Sequence, residues 1–145
     1  MTYAEWEAGV PELMKQDSLW RVEAYRLALF VSDLAWSDAT RLLRDARTDG
    51  VANQLYRATG KISANIAEGY SKCTGKGRAL FYEYALGSAR ESRDWYYKAR
   101  HVLGDRTFNH RLVLCTKIIR LTLTMTSSER RSNRRISCAM KAKAD

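Results

Sequence analysis

The sequence predicts an all-α fold: an antiparallel up-down-up-down four-helix bundle, with a short N-terminal helix and a flexible basic C-terminal tail. Composition is the first indication, because the 145 residues contain a single proline and are rich in alanine, leucine, arginine and glutamate. Spacing is the second, since apolar residues recur at three- and four-residue steps through four long segments. The length suits one domain that buries a substantial core.

Residues 1–16 are predicted to form an N-terminal extension. Trp6, Val10 and Leu13 share one face of a short amphipathic helix over residues 3–16. Pro11 suits the first turn of a helix better than its interior. We expect this element either to dock on the body of the protein or to fray.

Residues 17–127 are predicted to form the bundle. The first long helix begins after Asp17 or Ser18, either of which can cap it. Its apolar pattern loosens near Ser37, where a second short stretch of helix is expected. The fourth helix carries two apolar stripes, which indicates either deep burial or a contact between protomers. The second, third and fourth helices are predicted over residues 51–70, 78–103 and 108–126.

Residues 128–145 are predicted to form the flexible tail, because helical periodicity is lost there. Six basic side chains face two acidic ones, so the tail carries +4 of the total net charge of +9. The basic residues are Arg130, Arg131, Arg134, Arg135, Lys141 and Lys143.

Charge and cysteine usage limit the function classes. An excess of 25 basic over 16 acidic side chains favours a polyanionic partner, nucleic acid first. Cys73, Cys115 and Cys138 are odd in number and lack metal-type spacing, and His101 and His110 have no ligand cluster, so no metal or cofactor is expected. No apolar run spans a bilayer, and the N-terminus lacks a signal-peptide layout, so a cytoplasmic protein with no membrane partner is expected.

The turn between helices two and three sets a predicted register. Folding the two helices about residues 72–77 places Glu68 opposite Phe81. The small residues Gly87 and Ser88 then face the region of Gly60, which predicts a close approach of the two backbones there.

The same register suggests structural roles for four polar residues. Arg57 lies near Glu91 and is predicted to form an ion pair with it. Glu68 is predicted to accept hydrogen bonds from the first amides of helix three, and Asn65 to bridge the two helices. A role for Glu68 as a general base or metal ligand is weaker, because no second carboxylate or histidine lies three or four residues away.

These residues carry a family resemblance. The stretch QLYRATGKISANIAEGYSK, followed by FYEYALGSARES, resembles the four-helix bundle protein family. That family includes proteins encoded in intervening sequences of large-subunit ribosomal RNA genes, and the accessory variability determinant of diversity-generating retroelements. The similarity covers residues 19 to about 126. Its most specific pieces are Gln54, Arg57-Ala58, Asn65 to Gly69, and Gly87-Ser88 with Glu91.

The resemblance implies a bundle protomer in a ring-like homopentamer. For retroelement members it implies binding to nucleic acid and to a reverse transcriptase, and for intervening-sequence members it implies no established activity. The chain departs from the family pattern at Lys61, where a small residue is common, and in lacking a Phe-Pro between helices one and two. The N-terminal extension and the tail lie outside the similarity.

The predicted nucleic-acid contacts are basic residues on exposed positions. Lys72, Lys76 and Arg78 surround the glycines of the turn before helix three, where helix N-terminal amides would assist phosphate binding. A nucleotide-hydrolysing phosphate loop is excluded by its spacing and by Gly77 in place of Ser or Thr. The remaining predicted contacts are Lys61, Arg90, Arg93, Arg130, Arg131, Arg134 and Arg135.

Two functional hypotheses follow, and neither involves catalysis. The first is an oligomeric nucleic-acid-binding accessory protein that holds template RNA or cDNA for a retroelement reverse transcriptase. The alternative is a structural or protein-interaction bundle of the ribosomal RNA intervening-sequence type, whose basic surface docks an acidic protein. An enzyme is least favoured, since Ser88 has no histidine nearby to act as its base.

Overall fold

The computed structural model describes the backbone of residues 1–141 and the side chains of residues 1–133. All of the described elements are helices. Two short ones, α1 (Tyr3–Gly9) and α2 (Glu12–Lys15), precede four long ones: α3 (Glu23–Leu42), α4 (Asp49–Tyr70), α5 (Gly75–Leu103) and α6 (Asp105–Lys141). Short 3-10 helices at Ser18–Arg21 and Ala46–Thr48 lead into α3 and α4.

The four long helices pack as an up-down-up-down bundle, which confirms the predicted fold class. Each long helix packs on the next in the chain, and α6 packs back on α3 to close the bundle. Short connections enforce the antiparallel order. The tightest is the single residue Gly104 between α5 and α6, which has φ 77°, a conformation that favours glycine.

The core is built from aliphatic residues of α3, α4 and α6 packed against small residues of α5. Leu55, Ile62 and Ile66 of α4 are fully buried, as is Ile118 of α6. The buried face of α5 consists largely of alanine and serine, with Tyr96 as its one large, fully enclosed side chain. Small side chains on α5 let the neighbouring helices approach closely.

The N-terminal extension docks on α3. Trp6 is buried against Trp20 and Phe30, and its indole Nε1 donates to a carboxylate oxygen of Asp33 at 2.5 Å. A Thr2–Glu5 capping box begins α1. Pro11 divides the single helix expected over residues 3–16 into α1 and α2.

The first long helix differs from its prediction at both ends. Asp17 does act as a cap, but of the 3-10 helix, through a bond from the Leu19 amide of 2.8 Å. The α-helix then begins at Glu23 and continues to Leu42 without a break at Ser37. The apolar pattern loosens there because the position that faces the core is Asp38, which is buried.

The other helices start within a few residues of their predicted positions, but α6 ends much later. It continues to Lys141 rather than ending at Thr126, so the predicted loss of helix after residue 127 is wrong within the described residues. Glu129 explains part of the difference, because it bonds to Arg78 of α5 and holds α6 against the bundle. Residues 142–145 lie outside the described residues.

Within residues 1–141, no helix is both long enough and apolar enough to cross a membrane.

Candidate functional site

The N-terminal end of α5 is less open to phosphate than the sequence suggests. Thr74 caps the helix by accepting from the Gly77 amide at 3.0 Å. Arg78 bonds to both carboxylate oxygens of Glu129, at 2.9 and 3.0 Å, and donates to the Lys72 carbonyl. The hydrogen bond to Glu129 raises the pKa of Arg78. Arg78 is therefore engaged within the chain.

Two further predicted phosphate contacts are also paired. Lys72 lies 3.6 Å from Glu68 one helical turn earlier and sits over the Phe81 ring, 4.6 Å from its centroid. Arg130 forms an ion pair with Glu83 of α5. Each of these cations already has a carboxylate partner in the chain. A phosphate group of a nucleic acid would have to displace that carboxylate in order to bind.

Five predicted contacts lack a carboxylate partner among the described residues, and they are dispersed. One lies on α4, three on α5 and one on α6, and all are exposed except the half-buried Arg93. These five are Lys61, Lys76, Arg90, Arg93 and Arg131. The predicted contacts Arg134 and Arg135 have side chains outside the described residues.

The predicted roles of Asn65 and Glu68 are not observed. Glu68 is exposed and faces Lys72 instead of the α5 amides, which Thr74 caps. Asn65 is half-buried, and its amide forms no hydrogen bond to another described side chain or backbone group. Solvent access lets both polar groups remain on α4 without a partner across the hairpin.

The predicted Arg57–Glu91 ion pair is also absent from the described contacts. Both side chains are exposed, and Glu91 instead lies 3.4 Å from the Trp95 indole nitrogen on its own helix. Among the residues whose side chains the structure describes, Arg57 on the surface of α4 has no carboxylate partner.

The hairpin register is nearly as predicted, but its closest approach is elsewhere. A Cβ added at Gly69 would lie 2.9 Å from the Cβ of Phe81, whereas Cβ atoms added at Gly60 or Gly87 would meet nothing within 4 Å. Gly87 is exposed, while Ser88 is buried and donates to the Tyr84 carbonyl at 3.0 Å. Of the predicted pair Gly87 and Ser88, only Ser88 is buried.

A buried ionic cluster joins three helices, and sequence reasoning missed it. Asp38 of α3 is only 2% exposed. It accepts from Nε of Arg111 at 2.7 Å, from Nη2 of Arg111 at 3.2 Å, and from the Tyr96 hydroxyl at 3.1 Å. The loosened apolar pattern at Asp38 was the available signal, and an interior aspartate calls for a cation from another helix.

The cluster is electrostatically self-contained. Burial lowers the pKa of Arg111, but hydrogen bonds and charge attraction from Asp38 outweigh it, so the net shift is upward. Burial, reinforced by the Asp38 charge, raises the pKa of Tyr96 well above its usual value. Burial likewise raises the pKa of Cys115 to about 12, so this thiol stays protonated at neutral pH.

An open groove of about 400 Å³ runs between α3 and α4. Beside it, Trp36 is 65% exposed and Tyr56 is 42% exposed, with ring centroids 5.8 Å apart and ring planes at 67°. Single exposed apolar side chains are common on protein surfaces, but adjoining ones form a patch of the kind that partners cover. We call this feature the α3–α4 groove, and its lining is Ser32, Tyr56, Arg57, Gly60, Lys61 and Ala64.

A second groove of about 650 Å³ lies between the start of α5 and the far end of α6. Its cations are partly neutralised, because Arg130 pairs with Glu83 on its wall. The lining residues are Thr74, Lys76, Gly77, Ala79, Leu80, Glu83, Arg130 and Asn133.

No group of three or more histidine, cysteine, aspartate or glutamate side chains is placed to hold a metal ion in the part of the chain that the structure describes.

The fold and its surfaces define a helical bundle that presents grooves, and several of its cations have no carboxylate partner within residues 1–133. The family model for the 23S rRNA-intervening sequence protein matches residues 21–124, which run from just before α3 to well within α6. The chain therefore belongs to the 23S rRNA-intervening sequence protein family. Neither a curated protein nor a solved structure matches the chain. The match supports the intervening-sequence part of the resemblance and does not extend to retroelement accessory proteins.

Proposed function

We propose that this chain is a non-enzymatic interaction protein, a bundle of the 23S rRNA-intervening sequence family that docks an acidic protein partner. The observation that carries the proposal is the α3–α4 groove. There, exposed Trp36 and Tyr56 lie beside Arg57 and Lys61, which have no carboxylate partner among the described residues. Aromatic side chains and arginine are enriched in protein interfaces, and a cation on the rim complements an acidic partner.

The state of the buried polar groups supports a non-catalytic role. Asp38, Tyr96 and Arg111 satisfy one another within the core. Cys115 is held as a thiol, and Ser88 bonds to a backbone carbonyl of its own helix. A nucleophile needs an activating base within reach, and these groups have none in this arrangement.

Self-association is part of the proposal, with a homopentamer as the expected form. Exposed apolar side chains away from the α3–α4 groove support it. They include Tyr84 and Tyr97 of α5, and Val113 and Leu123 of α6. We also propose a cytoplasmic location, which fits three cysteines that have no disulfide-type pattern.

The second candidate is a nucleic-acid-binding accessory protein, with a retroelement reverse transcriptase as its finer form. The net charge of +9 favours it, as do the five cations without described carboxylate partners. Contacts of this kind are mainly to phosphate and depend steeply on salt. The internal pairing of Lys72, Arg78 and Arg130 counts against it, because phosphate would have to displace Glu68, Glu129 and Glu83.

One set of measurements separates the two candidates. The full chain is captured from its own host cells after nuclease treatment, and its binding to short fluorescent RNA and DNA is measured across a salt series. Light scattering in the same buffers gives the mass of the assembly. We expect an acidic protein to stay bound to the chain after nuclease treatment and to be released by salt. We expect the chain itself to bind RNA and DNA weakly. Micromolar binding to RNA or DNA, with no nuclease-resistant protein, would overturn the proposal in favour of the second candidate.

A matched truncation sharpens the result. The cut belongs after Asn133, because removal of Glu129 and Arg130 would also break their ion pairs with α5. Loss of residues 134–145 removes four basic side chains and one acidic one. Partner capture is expected to persist in this variant, whereas the second candidate predicts a sharp fall in nucleic-acid affinity.

A further inference from the structure

We infer that the α3–α4 groove binds an amphipathic helix whose carboxylates face Arg57 and Lys61. This inference rests on the proposed function and names the docking face and the chemistry of its ligand. Four features of the groove carry it: its floor, its wall, its rim and the charge of the whole chain.

The floor of the groove admits a helix backbone. Gly60 and Ala64 are one helical turn apart on α4, and Ser32 faces them from α3. A Cβ added at Gly60 would meet nothing within 4 Å, so the space above it is open. Small residues at such positions let another helix approach closely. An amphipathic helix from a partner can lay its apolar face into a groove of this kind.

The wall of the groove supplies apolar contact through Tyr56, and Trp36 extends that contact from beside the groove. Trp36 lies one turn after Ser32 on α3, and its ring meets Tyr56 of α4 edge to face at 67°. The two tilted rings together offer apolar surface to a ligand side chain. They do not form the parallel platform on which successive nucleic-acid bases stack. The geometry therefore favours a peptide over single-stranded nucleic acid.

The rim of the groove selects the charge of the ligand. Arg57 and Lys61 are one turn apart on α4, exposed, and without a carboxylate partner among the described residues. Carboxylates at the same one-turn spacing on an incoming helix would complement both cations. A second copy of this chain suits the rim poorly, because it brings its own net charge of +9.

The test uses three fluorescent probes and the full chain. The first is a helical peptide of about 18 residues with a leucine stripe flanked by glutamates one turn apart. The second has lysines in place of the glutamates, and the third is a single-stranded oligouridine of about 12 nucleotides. Fluorescence anisotropy gives each affinity, and light scattering gives the mass of the protein alone.

Four variants are compared with the wild-type chain. The double variant R57A/K61A removes the rim charges. Gly60→Leu fills the floor, while Gly60→Ala adds only a methyl group and serves as its conservative control. The double variant K76A/R90A removes two cations of α5 and is matched in charge to the first. Circular dichroism verifies that each variant folds.

We expect the wild-type chain to prefer the glutamate probe to the lysine probe. R57A/K61A and Gly60→Leu should each lower the affinity for the glutamate probe by about tenfold or more. Gly60→Ala and K76A/R90A should leave its binding unchanged.

Four results would overturn the inference. The first is equal affinity of the wild-type chain for the glutamate and lysine probes, and the second is equal affinity of R57A/K61A and K76A/R90A for the glutamate probe. The third is binding of oligouridine to this same face more strongly than the glutamate probe. The fourth is a fall in assembly mass with Gly60→Leu, which would assign the groove to a second copy. If the wild-type chain and R57A/K61A capture the same host protein equally, the groove is not the docking site, but the proposed function stands. Absence of any captured protein would defeat the proposed function itself.

Discussion

At the scale of single residues, three glycines in the helices have opposite packing environments. Gly69 lies where α4 meets Phe81 and Tyr82 of α5, whereas Gly60 and Gly87 have open space. Gly69→Ala is expected to lower the free energy of unfolding by about 1–3 kcal/mol through overpacking. Gly60→Ala and Gly87→Ala should raise it by about 0.5–1 kcal/mol, because alanine favours a helix. Urea unfolding followed by circular dichroism measures all three, and a stabilised Gly69→Ala would contradict the close approach.

The buried pair of Asp38 and Arg111 gives a second test at this scale. Asp38→Ala leaves the Arg111 guanidinium without its carboxylate, at a cost of about 3–5 kcal/mol in the free energy of unfolding. Tyr96→Phe removes only one neutral donor to the same carboxylate, at a cost of about 1 kcal/mol. Urea unfolding again supplies the measurement. Similar losses in the two variants would mean that Arg111 finds another anion when Asp38 is absent.

Residue roles were predictable only where local rules decide them. Ser88 belongs to the three- and four-residue apolar spacing of α5 and is buried, as that spacing suggests. The predicted Arg57–Glu91 ion pair is not observed. The prediction assumed that two exposed side chains at neighbouring register positions would meet, but an ion pair exposed to solvent contributes little stability. Asp38 could be recognised as an anomaly in an apolar pattern. Its partner on α6 could not, because 73 residues separate the two in the chain.

At the scale of helices, ion pairs of Glu129 and Arg130 join the far end of α6 to α5. Arg78 holds both oxygens of the Glu129 carboxylate across the α5–α6 contact. Glu129→Gln keeps the shape but removes the charge, so we expect faster amide hydrogen exchange in α6 after about residue 126. A partly exposed pair of this kind contributes on the order of 1 kcal/mol, so global stability should change little.

Lys98→Ala is the control for this prediction. It removes an exposed ion pair with Asp94 within α5 and should leave exchange in α6 unchanged. Unaltered exchange in Glu129→Gln would show that α6 holds its helix beyond residue 126 without the bond to Arg78.

The long helices were predictable because their apolar spacing is regular. The residues at which the helices begin and end were not predictable in the same way. The end of α6 was missed because residues after 127 carry no apolar stripe, while an ion pair with α5 continues the contact. The start of α5 was placed at Arg78 instead of Gly75, since the glycines indicated a loop. Thr74 caps the helix there, and glycine after a good cap can still be helical.

At the scale of the whole molecule, the protein should lose stability in alkaline solution. Burial raises the pKa of Tyr3 and of Cys115 to about 12, and raises the pKa of Tyr25, Tyr82 and Tyr96. These groups release protons more readily in the unfolded chain, near pH 9 for the thiol and 10 for the phenols. Their contribution is therefore complete below pH 9 and is lost as pH rises towards 12.

Urea unfolding at a series of pH values between 8 and 11 tests this expectation. The free energy of unfolding should fall across the series, and the fall should be shallower in Tyr96→Phe and in Cys115→Ala, each of which lacks one titrating group. A flat profile in the wild-type chain would contradict the burial of these side chains.

Whole-molecule function was predictable only in outline. Net charge indicates an acidic or polyanionic partner, but the number of free cations depends on pairing across helices, which charge counts do not show. Arg78 and Arg130 appeared available in the sequence and are bonded to Glu129 and Glu83 in the fold. The α3–α4 groove and the Trp36 ring beside it combine side chains from two helices, so no local pattern could indicate them.

The buried ionic cluster also limits how the bundle can assemble wrongly. Most contacts between the helices are aliphatic, and such surfaces adhere in more than one alignment. Sliding α6 by one turn along α3 would move Arg111 about 5 Å from Asp38. Each charge would then be buried alone, at a cost of several kcal/mol. We therefore expect the apolar faces to supply cohesion, and the Asp38 carboxylate to disfavour misaligned packings of α6 so that one axial arrangement is populated.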